Sequence, residues 1–306
     1  MQVTDVDVLE VSPAMEEFLR RYILRYQNQH TRATLLMSAV SGNGVLGFQY
    51  DDALTLTAAE AFEARAGNCV GFANMFIALA RRAGLKAKYQ EVLRRPEWSS
   101  RDETVLLIKH INVILRLPGY EYVMDVSGID INPLARRHII DDSYAKALYW
   151  NNIGAEALLN NDLSTAHAYI VQAIETEPAL SDSWVNMGVV LGRNAQLDDA
   201  AFALRQALKI DPSEFAALSN LYEVYITQED LAAAAQIEDQ VEKYRQKNPY
   251  YLLQLSEEAL VEARFEDSRE YLQRAIRKKE NDHRLHFALA KTQYLSGETE
   301  RAQTSL

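Results

Sequence analysis

The feature that most constrains the fold of this chain is an internal repeat in its C-terminal half. Eight positions within residues 150–178 are occupied by the same or a similar residue 34 positions later. The first set is Trp150, Ile153, Gly154, Ala157, Ala166, Ile170, Ala173 and Pro178, and the second is Trp184, Met187, Gly188, Leu191, Ala200, Leu204, Ala207 and Pro212. A period of this length is typical of stacked supersecondary units that bury their apolar faces against one another. The second half of the chain is therefore predicted to be an all-α solenoid.

The period and the residue order resemble the tetratricopeptide repeat, a helical hairpin. The pattern predicts units at 147–180, 181–214, 215–248 and 249–282 and a partial unit at 283–306. The resemblance implies a concave groove lined mainly by the first helix of each unit, and it makes a peptide or protein the expected partner. The lining predicted for this groove is Asn151, Val185, Val189, Ser219, Glu223, Leu253 and Glu257. Two other roles stay open, because such repeats also serve as buttresses for a neighbouring domain and as dimer surfaces.

The single cysteine of the chain, Cys69, lies where a loop runs into a long apolar segment that is predicted to be helical. The first backbone N–H groups of a helix have no intrahelical partners and carry the positive end of the helix dipole, so this position favours a thiolate. A lone cysteine is also commonly a small buried hydrophobe. The residues that follow in the sequence favour the reactive alternative.

Two polar residues interrupt apolar strand patterns downstream of the cysteine. His110 lies in the predicted strand Thr104–Leu117, and Asp125 lies in the next predicted strand. Pro118 and Gly119 between them predict a hairpin turn. With these two residues at the centre of the turn, His110 and Asp125 are diagonal neighbours on one face of the sheet. The sequence thus predicts an imidazole beside a carboxylate.

These motifs resemble the transglutaminase-like branch of the papain-type cysteine enzymes. The matching positions are Arg65, Gly67, Cys69, His110, Asp125 and Ser127, and the segments Tyr50-Asp51 and Thr57–Glu60 are also similar to the family. The second segment predicts a helix capping box. The resemblance covers roughly residues 33 to 130 and implies an α+β domain in which the helix with the cysteine packs on an antiparallel sheet. One departure is Asn112, because the family often has Trp at that position.

The resemblance implies acyl transfer by a Cys-His-Asp triad. Cys69 is the expected nucleophile, His110 the general acid and base, and Asp125 the residue that orients the imidazole. The expected intermediate is a thioester, and the sequence leaves open whether water or an amine then attacks it. The backbone N–H of Cys69 is one expected oxyanion donor, with the side chain of Asn68 or Gln49 as a second. Asn68 is equally suited to stabilising the turn.

Two further residues are predicted near the cleft. Asn112 follows His110 by two positions and lies on the same strand face. Trp98 lies in the polar segment 96–103, which is predicted to be a loop; it either overhangs the cleft or anchors the loop.

Composition and charge limit the classes of partner and the cellular compartments that are expected for this chain. The 306 residues include 32 basic and 43 acidic side chains, a net charge of −11 without a basic stripe, so nucleic acid is not an expected partner. One cysteine excludes an intramolecular disulfide framework. No stretch is long and apolar enough to span a bilayer, and the N-terminus has no signal-peptide pattern. The chain as written is expected to be cytoplasmic, or periplasmic or lipid-anchored if a signal was trimmed. No cofactor and no metal site are predicted.

The predicted organisation is a helical extension at 1–32, a catalytic domain at 33–140 and the repeats at 141–306. Three functions compete. The first is a thiol enzyme that cleaves or transfers an amide in a peptide or protein held by the repeats. The second is a non-catalytic scaffold, and the third is an amidase acting on a small molecule or cell-wall peptide. Homo-oligomers are compatible with each.

Overall fold

The structure of the protein is a computed structural model that describes residues 3–93, 98–101, 104–107, 110–126 and 136–305. Short helices and strands alternate in its first half. These are α1 (Pro13–Tyr22), α2 (Gln29–Val40), β1 (Gln49–Tyr50), α3 (Ala58–Ala64), β2 (Ala66–Gly67), α4 (Cys69–Arg82), β3 (Lys86–Leu93), β4 (Trp98–Arg101), β5 (Thr104–Leu107), β6 (His110–Leu117), β7 (Tyr120–Met124) and β8 (Arg136–Ile140).

The second half is helical in its described residues. It contains α5 (Asp142–Leu159), α6 (Leu163–Thr176), α7 (Ser181–Arg193), α8 (Leu197–Ile210), α9 (Phe215–Thr227), α10 (Leu231–Arg245), α11 (Pro249–Val261), α12 (Phe265–Ile276), α13 (His283–Leu295) and α14 (Thr299–Ser305). The α+β region followed by an all-α solenoid is the architecture that the sequence predicts.

The chain divides into two compact units. One contains α1–α8 with strands β1–β3 and β6–β8, and the other contains the hairpin β4–β5 and α10–α14, with the division falling inside α9 after Val224. The predicted domain limits at 32 and 140 remain predictions.

An antiparallel sheet with strand order β7-β6-β3-β8 carries the histidine of the predicted triad. In the β6–β7 hairpin Val113 pairs with Met124 and Leu117 with Tyr120, which is the register predicted from a turn centred on Pro118 and Gly119. Gly119 has a φ of 78°, a left-handed value that glycine adopts without a Cβ clash. The predicted hairpin and its register are therefore confirmed.

The prediction of one continuous strand over 104–117 was wrong. The structure has two strands in this stretch, because β5 pairs with β4 whereas β6 pairs with β3 and β7. Strand β4 also lies within the segment predicted to be a loop. Hydrophobic alternation shows which residues share a face, but it carries no information about the partner strand, so the pattern alone could not separate β5 from β6.

The core of the first unit extends beyond the sheet. Helix α4 is buried along nearly its whole length, from Val70 to Ala80. The same apolar cluster includes Val8 and Met15 before the sheet and Trp150 and Leu180 after it. Helix α1 and the first repeat thus share one hydrophobic core with α4 and the sheet.

The backbone of the solenoid repeats with the period of the sequence. Helices pack in consecutive pairs in α5–α6, α7–α8, α11–α12 and α13–α14. The turns within the hairpins contain residues with positive φ at positions 34 apart, namely Asn161, Ala195, Glu229, Ala263 and Gly297. This regularity confirms that each unit is a helical hairpin closed by the same turn.

Candidate active site

Cys69 is the first residue of helix α4, and the loop before it is held by backbone hydrogen bonds. Strand β1 runs parallel to β2, with Tyr50 opposite Gly67, and the N–H of Asp51 donates to the carbonyl of Gly67 at 3.1 Å. The N–H of Asn68 donates to the carbonyl of Leu54 at 2.8 Å. Cys69 is half-buried, so its sulfur combines a fixed backbone position with access from outside.

Asn68 is the N-cap of helix α4. Its Oδ1 accepts hydrogen bonds from the N–H groups of Val70 and Gly71, each at 3.0 Å, and its Nδ2 donates to Oγ1 of Thr55 at 2.6 Å. Both ends of the amide are therefore engaged. The structure gives Asn68 the turn-stabilising role that the sequence left open beside an oxyanion role.

Helix α3, which precedes the cysteine loop, begins with the predicted capping box. Oγ1 of Thr57 accepts from the N–H of Glu60, and the Glu60 carboxylate accepts from the N–H of Thr57 at 2.9 Å. The helix ends at Arg65, which adopts a left-handed conformation with a φ of 52°. The capping box is confirmed, and it sets where the chain turns toward Cys69.

His110 and Asp125 are in direct contact. His110 is buried at the start of β6, and its Nε2 contacts Oδ2 of Asp125, whose side chain is 18% exposed. Asn112 also reaches this carboxylate, because its Nδ2 donates to Oδ2 at 3.4 Å. The imidazole and carboxylate predicted as diagonal neighbours are thus brought together.

Cys69 is a second partner of the imidazole. Burial lowers the pKa of His110, but hydrogen bonds to Asp125 and Cys69 and the negative charges of both groups outweigh it and raise the pKa to about 9. The histidine is therefore protonated at neutral pH. Since Nε2 is directed at Asp125, Nδ1 is the ring nitrogen left for the sulfur.

Tyr50 is a neighbour of this group that the sequence analysis did not select. Burial is the largest cause, followed in order by the negative charges of Cys69, Asp52, Asp125 and Asp51, and together they raise its pKa to about 12. The phenol therefore keeps its proton and lies within electrostatic range of both Cys69 and Asp125. The sequence signal for Tyr50 is its place in the segment Tyr50-Asp51, which is similar to the family.

Gln49 has another contact in the structure. Its Nε2 donates to the carbonyl of Gly47 at 3.2 Å, and the residue is exposed. In Gln49, as in Asn68, one N–H of the side-chain amide makes a local hydrogen bond. Its predicted oxyanion role remains a prediction without a contact to Cys69 among the described residues.

Two predicted positions fall partly or wholly outside the described residues. Ser127 lies outside them, and so does the side chain of Trp98, whose backbone belongs to β4. The proposed place of Trp98 at the cleft stays a prediction.

The residues predicted to line the repeat groove differ in exposure. Asn151 and Val185 are buried, and Oδ1 of Asn151 accepts from Nδ2 of Asn186 at 2.9 Å. Val189, Ser219 and Leu253 are half-buried, and Glu223 and Glu257 are exposed. Buried side chains have little surface for a ligand, which leaves the exposed carboxylates as the most accessible members of the set.

The described residues offer neither a metal-binding cluster nor a membrane-spanning helix. No group of three or more His, Cys, Asp or Glu side chains in this part of the chain is arranged to hold a metal ion. None of the described helices combines the length and apolar character needed to cross a bilayer.

Comparison with known families places the two regions in separate classes. Residues 18–124 match the model of the transglutaminase-like superfamily, and residues 181–214 match that of the tetratricopeptide repeat. The first match contains Cys69 and His110 and ends one residue before Asp125. The chain is thus transglutaminase-like in its α/β region and carries tetratricopeptide-type repeats in its helical region.

Two solved structures are each similar to about half of the chain. MamA, residues 41 to the end, from Desulfovibrio magneticus RS-1 is 17% identical, with 54% of this chain and 92% of that chain covered and a TM-score of 0.33. YrrB, described as a TPR protein with an unusual peptide-binding site, is 14% identical, with 52% and 82% covered and a TM-score of 0.32. No curated protein matches the chain.

Proposed function

We propose that this protein is a thiol enzyme that cleaves or transfers the acyl group of an amide, with Cys69, His110 and Asp125 as its catalytic triad. The observation that carries the proposal is the bridging position of His110, which is hydrogen-bonded to both Cys69 and Asp125. A buried imidazole between a carboxylate and a thiol at a helix N-terminus is the arrangement that nucleophilic catalysis requires. A scaffold has no physical need for it.

The proposed chemistry proceeds in two steps. In the first, Sγ of Cys69 attacks the amide carbonyl carbon, the C–N bond breaks, and the proton held by His110 passes to the leaving nitrogen. In the second, His110 removes a proton from water or an amine as that nucleophile attacks the thioester, and the thiolate is expelled. Asp125 holds the ring throughout. Water yields a carboxylic acid, and an amine yields a new amide.

The oxyanion of each tetrahedral intermediate needs hydrogen-bond donors. The backbone N–H of Cys69 belongs to the first turn of α4, where it has no intrahelical partner. Tyr50 supplies the second donor in this proposal, because its hydroxyl stays protonated near Cys69, whereas Asn68 and Gln49 each direct an amide N–H to a local acceptor. Donors of this kind act where charge develops in the transition state.

The pH dependence follows from the histidine. Amide cleavage needs a protonated His110 to release the amine, so the rate is expected to fall as pH rises through about 9, where the imidazolium loses its proton. The fall in the reaction rate at high pH is thus assigned to deprotonation of His110.

The repeats are proposed to bind a peptide or protein, the role for which this repeat class is suited. The first repeat has a structural role in addition, because Trp150 and Leu180 belong to the core that also contains α4. This observation favours the buttress alternative for the first repeat, and the ligand is proposed to bind the later repeats.

Trapping of the acyl-enzyme tests the proposal. The full-length protein is mixed with p-nitrophenyl acetate, and release of nitrophenolate and the intact mass are followed with and without a primary amine. The wild type is expected to gain one acetyl group on Cys69 and to transfer it to water or the amine, whereas Cys69→Ser and His110→Ala are not. Equal acetylation of wild type and Cys69→Ser would contradict the proposal.

A further inference from the structure

Asn112 lies beside the carboxylate of the His110–Asp125 pair. The hairpin register that pairs Val113 with Met124 brings Asn112 and Asp125 to facing positions, and Asn112 is fully buried. Oδ2 of Asp125 contacts Nε2 of His110 and also accepts a hydrogen bond from Nδ2 of Asn112. Asp125 itself follows the last residue of β7, so the strand ladder does not fix its backbone.

The orientation of the Asn112 amide follows from its surroundings. If the amide were reversed, Oδ1 would face a carboxylate oxygen, and two acceptors would oppose each other without a proton between them. The N–H therefore points at Asp125. Oδ1 has no hydrogen-bond partner among the described residues.

An unpaired buried oxygen reduces stability, and an apolar side chain of similar shape would avoid that loss. Asn112 is therefore a poor choice for folding alone. Gln90 is its cross-strand neighbour on β3, is also buried, and likewise has an unpaired Oε1. Gln90 has no hydrogen bond to Asp125 among the described residues. The two buried amides therefore differ in that Asn112 alone of the pair contacts the carboxylate.

We propose that Asn112 is a positioning residue of the active site, which holds the Asp125 carboxylate in line with His110. The inference rests on the proposed thiol chemistry and adds a fourth residue to its machinery. Asn112 acts through Asp125 and has no contact with the reacting atoms.

The test compares Asn112→Leu with the matched control Gln90→Met in the full-length chain. Three quantities are measured: the rate of Cys69 alkylation by iodoacetamide against pH, the His110 pKa by NMR, and the melting temperature. For Asn112→Leu we expect the His110 pKa to fall by at least about one unit, which is a tenfold change in its protonation equilibrium. We also expect slower alkylation near neutral pH and an unchanged or higher melting temperature.

Gln90→Met is expected to keep the wild-type alkylation profile and His110 pKa. An Asn112→Leu protein with a wild-type pH profile and His110 pKa would overturn the inference, and so would an equal shift in Gln90→Met. If Asn112→Leu does not fold, Asn112→Val takes its place; failure of both to fold would assign Asn112 a structural role and overturn the inference. Failure of the proposed function is distinguishable from failure of this inference, because Cys69 would then be alkylated at the same rate in the wild type and in His110→Ala.

Discussion

The oxyanion role proposed for the Tyr50 hydroxyl can be tested separately from the reactivity of the Cys69 thiol. Acyl transfer passes through an oxyanion, whereas alkylation by iodoacetamide displaces iodide and forms no oxyanion. A donor to the oxyanion therefore affects the first reaction and leaves the second unchanged. Removing the hydroxyl oxygen of Tyr50 by one substitution therefore tests whether acylation and alkylation differ in this way.

We expect Tyr50→Phe to slow acetylation of Cys69 by p-nitrophenyl acetate about a hundredfold, the scale of losing one oxyanion donor. Its alkylation rate should stay within about twofold of the wild type on the same argument. Tyr26→Phe is the matched control, since Tyr26 is 41% exposed and Tyr50 39% exposed. Equal loss of both reactions in Tyr50→Phe would show that the tyrosine acts on the thiol and would contradict the oxyanion role.

At this scale the sequence predicted the His110–Asp125 neighbourhood because strand periodicity and one turn determine which side chains share a face. It left open whether Asn68 stabilises the turn or the oxyanion, and it did not predict the local hydrogen bond of Gln49. Both amides have local partners, a helix cap and a loop carbonyl, and a residue pattern does not show which hydrogen bond a side chain makes.

At the scale of elements, two glycines of helix α7 experience opposite surroundings. A Cβ on Gly188 would lie 2.5 Å from Cγ of Leu204, the residue through which α8 packs on α7. A Cβ on Gly192 would have nothing within 4 Å. The first glycine permits the close approach of two helices, and the second only lowers the helical propensity of α7.

We expect Gly188→Ala to destabilise the protein by about 1–3 kcal/mol, because Leu204 must move out of a packed core. Gly192→Ala should stabilise it by roughly 0.5–1 kcal/mol, since alanine loses less backbone entropy on forming a helix. Urea unfolding of both variants and the wild type measures the two changes. Equal effects of the two substitutions would contradict the packing assigned to α7 and α8.

Elements with strong periodicity were predictable, and those defined by their partners were not. The repeat period predicted the helical hairpins, because apolar packing positions recur with it; the left-handed residue also recurs at the same position of each turn, although its identity varies. Strands β4 and β8 contain few apolar residues and owe their formation to pairing with β5 and β3, so the sequence pattern did not reveal them.

At the scale of the whole molecule, the first helix of the solenoid contributes to the hydrophobic core of the α/β region. Ala147, Leu148, Tyr149 and Trp150 of α5 lie in the same apolar cluster as α4. Burial of a large apolar side chain contributes about 1.5–3 kcal/mol. Losing several of them would remove an amount comparable with the total stability of a domain, about 5–15 kcal/mol.

A chain ending at residue 140 is therefore expected to be unfolded or aggregated, although it contains the whole predicted triad. A chain ending at Thr227 keeps the first compact unit intact and is expected to fold and to acetylate Cys69 at the full-length rate. Circular dichroism and the p-nitrophenyl acetate assay report the two outcomes. A folded, active chain of residues 1–140 would contradict the shared core.

The proposed chemistry requires an activated Cys69, and the pH dependence of Cys69 alkylation measures that activation most directly. Cys69 is the single cysteine of the chain, so iodoacetamide labelling reports on it alone. We expect rapid labelling of the wild type at about pH 6 to 7, where a free thiol reacts slowly, and slower labelling of His110→Ala and Asp125→Asn. Labelling that rises only near the free-thiol pKa of about 8.5, and is equal in all three proteins, would contradict it.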